Sequence, residues 1–126
     1  MGRVTGLGGV FFKAQNPDKL HEWYESQLGM KREGGPVFFR WREAQRDAAG
    51  TTLWSLFPRD TTYFEPGQAP FMINYRVDDL DALLERLRAA GVWVDERREN
   101  SEYGRFAWIM DPEGNRIELW EPPAGS

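Results

Sequence analysis

One carboxyl group in this sequence stands out as able to do chemistry. Glu118 lies in the middle of an alternating segment, residues 116–120, that predicts a β-strand. Burial among aromatic side chains would raise the pKa of this carboxyl and suit it to act as a general base. Lys13 and Arg76 lie on two other predicted strands and could anchor a carboxylate, phosphate or enolate oxygen. The sequence leaves open that Arg76 and Glu118 instead neutralise one another.

The remaining residues offer little to metal or nucleophile chemistry. The chain has no cysteine, which excludes thiolate zinc sites, disulfides and a cysteine nucleophile. Its one histidine, His21, falls in a predicted helix, where we expect it on the helix surface. Aromatic residues make up 14% of the chain, which favours an aromatic cavity or interface, with simple core packing as the alternative.

Length and charge narrow the class of protein. With 126 residues the chain is expected to form one domain, residues 1–126, with an ordinary hydrophobic core. The 20 acidic and 16 basic side chains give a net charge of −4, which argues against a nucleic-acid partner held by phosphate neutralisation. No apolar run is long enough to span a membrane and the first residues lack a signal-peptide pattern, so we expect a cytoplasmic protein without a membrane partner.

The hydrophobic pattern predicts two helices and several strands. Asn16 before Pro17 marks the start of the first helix, and Gly91 ends the second. Strands are predicted at residues 4–14, 36–41, 51–57, 72–77, 92–94, 106–110 and 116–120. Two connections are of interest. The apolar residues within 58–70 predict a lid over a pocket, and residues 99–105 are expected to form a solvated loop at its rim.

The order of these elements repeats about half-way along the chain. One constant offset places Val10 on Ile73 in the first strand of each half, and Leu56 on Leu119 in the last. We therefore expect a duplicated module, with the first copy at about residues 4–58 and the second at about 71–121. A frayed tail is expected at residues 122–126.

Three segments carry a resemblance to a known family. Residues 111–121, Asp-Pro-Glu-Gly-Asn-Arg-Ile-Glu-Leu-Trp-Glu, resemble the signature of the vicinal oxygen chelate superfamily, which includes glyoxalase I, bleomycin-resistance proteins, extradiol dioxygenases and methylmalonyl-CoA epimerase. Residues 23–30 and 74–81 are similar to other parts of the family pattern. The resemblance implies an α+β fold in which two tandem βαβββ modules curl into a cup-shaped half-barrel, with the helices outside. It also implies a homodimer.

The resemblance further implies where a metal would bind. Catalytic relatives place one ligand on each of four strands, and those positions map onto Gly9, Ser55, Met72 and Glu118, or onto Trp54 if the strand slips by one residue. Glycine has no side-chain atom that can ligate a metal, and methionine and serine are poor ligands for zinc, nickel or iron. We therefore expect no metal or other cofactor, with a divalent ion at Glu118 as the alternative.

The resemblance implies that Gly9, Ser55, Met72 and Glu118 face into the cup, and alternation along the predicted strands then indicates which other side chains do so. The predicted ligand-binding residues are Phe11, Lys13, Leu53, Ser55, Phe57, Met72, Asn74, Arg76 and Trp120, with Trp41, Tyr103, Arg105 and Trp108 as further candidates. Aromatic walls with a few polar groups are typical of a small-molecule site.

Two functions fit this pattern. The first is metal-independent binding or sequestration of a small organic molecule, aromatic or, because of Lys13 and Arg76, anionic. The alternative is an enzyme of the lyase, isomerase or dioxygenase type, in which Glu118 is the catalytic base or one ligand of an atypical metal site. The duplicated module fits both equally well, because one scaffold serves several chemistries.

Overall fold

The structure is a computed structural model that describes residues 2–43 and 48–124. Within this part the element order is β1 (Val4–Ala14), α1 (Pro17–Leu28), β2 (Val37–Glu43), β3 (Ala48–Pro58), β4 (Phe71–Val77), α2 (Leu80–Ala89), β5 (Glu99–Ser101), β6 (Gly104–Met110) and β7 (Arg116–Glu121). The expected α+β class is confirmed, with three described strands from the first half and four from the second. The last two residues of the expected tail, 125 and 126, lie outside the described part.

The seven described strands form one sheet in the order β2-β3-β1-β4-β7-β6-β5, which curls without closing. The first strands of the two halves, β1 and β4, are antiparallel neighbours at its centre. Each has a parallel partner in its own half: Val10 pairs with Trp54, and Ile73 pairs with Ile117. The offset that relates Val10 to Ile73 in sequence also relates Trp54 to Ile117, as a duplicated module requires.

The helices begin and end where the local sequence dictates. The side chain of Asn16 accepts a hydrogen bond from the backbone N of Lys19 at 3.2 Å, and Gly29 ends α1 with a left-handed φ of 70°. Asp79 caps α2 in the same way as Asn16 caps α1. Within the described residues, no helix has the length and apolar character needed to cross a membrane.

Helix α2 buries a leucine stripe against the convex face of the sheet. The cluster comprises Val77, Leu80, Leu83, Leu84, Ala107 and Leu119, all at most 5% exposed. Each fully buried leucine contributes about 1.5–3 kcal/mol relative to an exposed one. This packing fixes β4 and β7 side by side and so positions the side chains on their concave face.

The expectation that His21 is a surface residue is wrong. Its side chain is 3% exposed, and its ring centroid lies 5.6 Å from that of Trp54 on β3. Tyr24, three residues later, packs on the same indole at 4.6 Å. Because residues three apart share a helix face, both rings take part in the contact between α1 and the sheet.

Two short segments differ from their predicted structure. Residues 92–94 form no strand, and Val94 makes only an isolated bridge to Ile109. Residues 99–105 are not a loop, because Glu99–Ser101 pairs with β6 across a tight turn at Glu102 and Tyr103. β5 is polar and fully exposed at the sheet edge, so it carries none of the apolar alternation that would have predicted a strand.

Candidate functional site

The concave face of the sheet encloses a cavity of about 450 Å³ between the two halves of the chain. Most of its lining is aromatic or aliphatic, with a small polar group on the central strands. The lining residues are Gly8, Phe11, Phe38, Thr51, Leu53, Asn74, Glu102, Tyr103, Phe106, Glu118, Trp120 and Pro123. Size and lining are those of a small-molecule site.

Glu118 is the centre of the polar group and is 3% exposed. Its Oε1 accepts a hydrogen bond from Asn74 Nδ2 at 2.7 Å, and its Oε2 accepts one from Trp108 Nε1 at 3.0 Å. The Tyr63 hydroxyl also donates to Oε2. Asn74 and Trp108 are the direct cross-strand partners of Glu118 on β4 and β6, whereas Tyr63 comes from the connection after β3.

Burial controls the proton affinity of this group. Desolvation raises the pKa of Glu118, the three hydrogen bonds oppose that rise, and the charge of Glu99 adds to it. The pKa of the Tyr63 phenol is raised as well, first by burial and then by the Glu118 charge beside it. Tyr63 therefore stays protonated as a donor, and Glu118 holds a proton more readily than an exposed glutamate does.

The connection between β3 and β4 fills one end of the concave face with its own aromatic side chains. Phe64 is 1% exposed and belongs to a cluster with Phe11, Met72 and Trp108. The Tyr63 ring is stacked on Phe57, with ring centroids 5.6 Å apart and an interplanar angle of 9°. Ligand-sized space therefore remains toward the opposite end, where Trp120 lies.

A glycine on the cavity floor lets Asn74 reach Glu118. A Cβ atom at Gly8 would lie 2.0 Å from Asn74 Oδ1 and 3.1 Å from Trp120 Cε3. Asn74 Oδ1 is itself buried and has no hydrogen-bond partner among the described residues. The amide is therefore fixed by its Nδ2 bond to Glu118 and by close packing against the glycine backbone.

Of the residues predicted to face a ligand, six line the cavity: Phe11, Leu53, Asn74, Tyr103, Glu118 and Trp120. Met72 and Phe57 lie on the same face but beneath the connection, in the cluster around Phe64. Ser55 is half-buried and pairs with Phe11. Whether any of these residues binds a ligand stays a prediction.

The two predicted cationic anchors are not among the residues that line the cavity. Lys13 Nζ lies 5.8 Å from the centroid of the Phe64 ring, and Arg76 Cζ lies 5.8 Å from that of Trp41. The described hydrogen bonds of Glu118 all come from uncharged donors.

Tyr63 is the main residue that sequence analysis missed. The apolar content of its segment predicted a lid, but no local pattern indicates that a tyrosine 55 residues before Glu118 donates to it. Phe38 and Phe106 were missed too, although both lie on predicted strands. Phe106 lies two residues before the candidate Trp108, so period-two alternation could have placed it on the same face. Phe38 lies three residues before the candidate Trp41, so alternation from Trp41 would have placed it on the opposite face.

The family model for the glyoxalase-like domain matches residues 9–120, nearly the whole chain. The chain belongs to this family. Glyoxalase-like domains fit the vicinal oxygen chelate superfamily, so the resemblance seen in the sequence is confirmed. The comparison with curated protein sequences gives no match.

Solved structures share the fold of this glyoxalase-like domain. Methylmalonyl-CoA epimerase from Mycobacterium tuberculosis is 26% identical over 95% of this chain and 89% of that one, with a TM-score of 0.57. A Streptomyces coelicolor methylmalonyl-CoA epimerase variant bound to 2-nitronate-propionyl-CoA is 17% identical over 97% of this chain and 100% of that one, with a TM-score of 0.69. A Legionella pneumophila NAD-dependent benzaldehyde dehydrogenase is 16% identical over 91% of this chain and 98% of that one, with a TM-score of 0.59.

The residues of this glyoxalase-like domain do not fit the metal site that its superfamily implies. Of the four mapped positions, Gly9 has no donor, and Met72 is 0% exposed within the aromatic cluster. Glu118 already accepts three protein hydrogen bonds, which occupy most of the oxygen lone pairs that direct metal ligation would need. The described residues contain no group of three or more His, Cys, Asp or Glu able to hold an ion.

Proposed function

We propose that this glyoxalase-like protein binds and sequesters an apolar, aromatic small molecule in the concave cavity without a metal. One observation carries the proposal: the cavity has largely aromatic walls, and its central carboxyl group is surrounded by protein hydrogen-bond donors instead of further metal ligands. The homodimer and the cytoplasmic location expected from the sequence remain predictions.

The walls provide the binding energy in this proposal. Phe106 and Trp120 lie nearly parallel, with centroids 6.3 Å apart and an angle of 14°, and so form a flat surface on one side of the cavity. The Trp120 indole is fixed by a 2.7 Å hydrogen bond from its Nε1 to the Tyr103 carbonyl oxygen. Apolar contact stabilises a complex by roughly 25 cal/mol per Å² removed from water, and rigid rings lose little entropy on binding.

Binding of Nile red, an uncharged apolar dye, tests the proposal. Saturable fluorescence enhancement is expected for the unmodified protein, and Trp120→Ala should weaken it about five- to tenfold because one wall is lost. Trp23→Ala is the matched control, since Trp23 lies on α1 and is 52% exposed. Equal weakening by both substitutions, or no saturable binding, would contradict the proposal.

A second candidate is an isomerase in which Glu118 transfers a proton. The observation in its favour is a carboxyl group that lines the cavity and whose pKa is raised by burial. From the described residues Oε2 accepts two hydrogen bonds and Oε1 accepts one, so Oε1 is the atom that would take a proton from a bound substrate.

Deuterium exchange separates this candidate from simple binding. Methylmalonyl-CoA, the substrate class named for two structural relatives, would be incubated with the protein in deuterated water and followed by proton NMR. Deuterium incorporation into methylmalonyl-CoA that depends on Glu118 would establish the isomerase activity. Absence of incorporation, together with Nile red binding, would favour sequestration.

A further inference from the structure

The charges that line the cavity all have the same sign. Among the described lining residues there are two carboxyl groups, Glu118 at the floor and Glu102 at the rim, and there is no lysine or arginine. This differs from the expectation drawn from Lys13 and Arg76, whose described ring contacts are with Phe64 and Trp41. An anionic ligand would therefore meet carboxylates first.

Among the described residues, the groups that stabilise Glu118 are dipoles and not opposite charges. Its three described hydrogen bonds come from an amide, an indole and a phenol, all of them uncharged. The charged residue that acts on its pKa, Glu99, is a second acid and raises it. A buried carboxylate in this setting is stabilised by a nearby positive charge.

The aromatic rings that line the cavity are also suited to a positively charged group. Phe11, Phe106 and Trp120 present π-systems to the cavity within a site that also holds a carboxyl group. The face of an aromatic ring attracts a cation by about 0.5–2 kcal/mol, and several rings around one ammonium group act together. The protein already shows this contact at the edge of the site, where Arg40 Cζ lies 5.4 Å from the Phe38 ring centroid.

We propose that the ligand of this cavity is an organic cation, an apolar molecule whose ammonium group lies between Glu118 and the aromatic wall. The inference rests on the proposed function, because it names the class of molecule that the cavity binds. It excludes carboxylates, phosphates and coenzyme A esters as preferred ligands.

Three related aromatic probes, of which the cation and the uncharged one have nearly equal shape, test the sign of the charge. Phenyltrimethylammonium is a cation, tert-butylbenzene is its uncharged isostere, and 4-tert-butylbenzoate carries a negative charge. Each would displace Nile red from the unmodified protein at low ionic strength. The cation is expected to do so at a concentration at least tenfold below that of the uncharged isostere, and the benzoate is expected to be the weakest.

Removing the carboxylate of Glu118 should remove the preference for the cation over its uncharged isostere. In Glu118→Gln the ratio between the cation and its uncharged isostere is expected to fall to about threefold or less. Glu22→Gln is the matched control, because it changes the net charge equally at an exposed position of α1, and it should keep the full ratio. Circular dichroism would establish that both variants are folded.

The outcomes separate this inference from the function on which it rests. If Nile red binds and Trp120→Ala weakens it, but the uncharged probe or the benzoate competes as well as the cation, the cation inference is wrong and the binding function stands. If the dye does not bind, both are wrong. The comparison of probes uses the unmodified protein, so it decides the question even if Glu118→Gln does not fold.

Discussion

The Tyr63 hydroxyl donates a hydrogen bond to the carboxyl group of Glu118. This bond joins the connection after β3 to β7, the last strand in the chain. The same tyrosine ring is stacked on Phe57, so it contacts both halves of the chain. Tyr63 also packs against the aromatic cluster around Phe64 that fills one end of the cup. It also places a neutral donor beside the glutamate at the cavity floor.

Removing that hydroxyl should cost stability without opening a large hole. Tyr63→Phe leaves the stacked ring in place but removes one of two donors to Glu118 Oε2. We expect the free energy of unfolding to fall by about 1–3 kcal/mol, since a buried acceptor loses a charge-assisted hydrogen bond. Urea denaturation measures this change in the free energy of unfolding. Tyr103→Phe, at a residue 70% exposed, is the control and should change stability by less than about 0.5 kcal/mol.

The raised pKa of Glu118 predicts a pH-dependent difference between the wild type and Glu118→Gln. From about pH 4.3 up to the raised pKa, the folded protein holds this proton while the unfolded chain releases it. The contribution of Glu118 to stability therefore decreases as the pH rises through this window. Because glutamine does not titrate, the variant should gain stability relative to the wild type from pH 4 to pH 8 in urea denaturation. A constant difference, or one of opposite sign, would show that the pKa is not raised.

Filling the space above Gly8 should disturb the polar group. In Gly8→Ala the new Cβ would meet Asn74 Oδ1 at 2.0 Å, and the amide must move away from Glu118. We expect a loss of about 1–3 kcal/mol in unfolding free energy, as for overpacked cores. Gly35→Ala has nothing within 4 Å of the added atom and should be nearly neutral. Similar losses in both variants would instead indicate a backbone effect.

The buried histidine should titrate below its ordinary range. Burial lowers the pKa of His21, the charge of Arg32 lowers it further, and Asp18 opposes both. Its Nδ1 is buried without a hydrogen-bond partner among the described residues. Because the unfolded chain takes up this proton first, His21 should reduce stability as the pH falls below about 6.5.

A single imidazole makes this prediction easy to measure. His21 is the only histidine in the sequence, so one NMR signal follows its titration in the folded protein and in urea. The midpoint in the folded protein should lie below that in urea. Coincident midpoints would place the ring in solvent and contradict its packing on Trp54.

Local sequence signals predicted most of the fold. Asn16, Gly29 and Asp79 mark helix ends through capping chemistry that acts within one turn. The duplication predicted equivalent strands in the two halves, and the same offset relates the observed register of β1 with β3 to that of β4 with β7. The polar edge strand β5 could not be predicted in this way, because its pairing with β6 depends on backbone hydrogen bonds and a turn rather than on apolar alternation.

The candidate site was only partly predictable. Asn74, Glu118 and Trp120 were placed on one face because the resemblance put Met72 and Glu118 in the cup and alternation is regular along their strands. The parallel pairing of β4 with β7 brings Asn74 directly opposite Glu118. Lys13 and Arg76 were assigned to the same face, but whether a long side chain reaches a cavity depends on which aromatic rings it packs against.

The sequence by itself determined the duplicated α+β fold, the family and a carboxyl group within an aromatic cup, because periodicity, caps and motifs are local or repeat at a fixed spacing. Only the tertiary structure decided what surrounds that carboxyl group. Tyr63 and Phe64 lie in an irregular connection whose path is set by packing against distant strands, and no sequence period describes such a path. The same packing decided that acids, and no described lysine or arginine, line the remaining cavity.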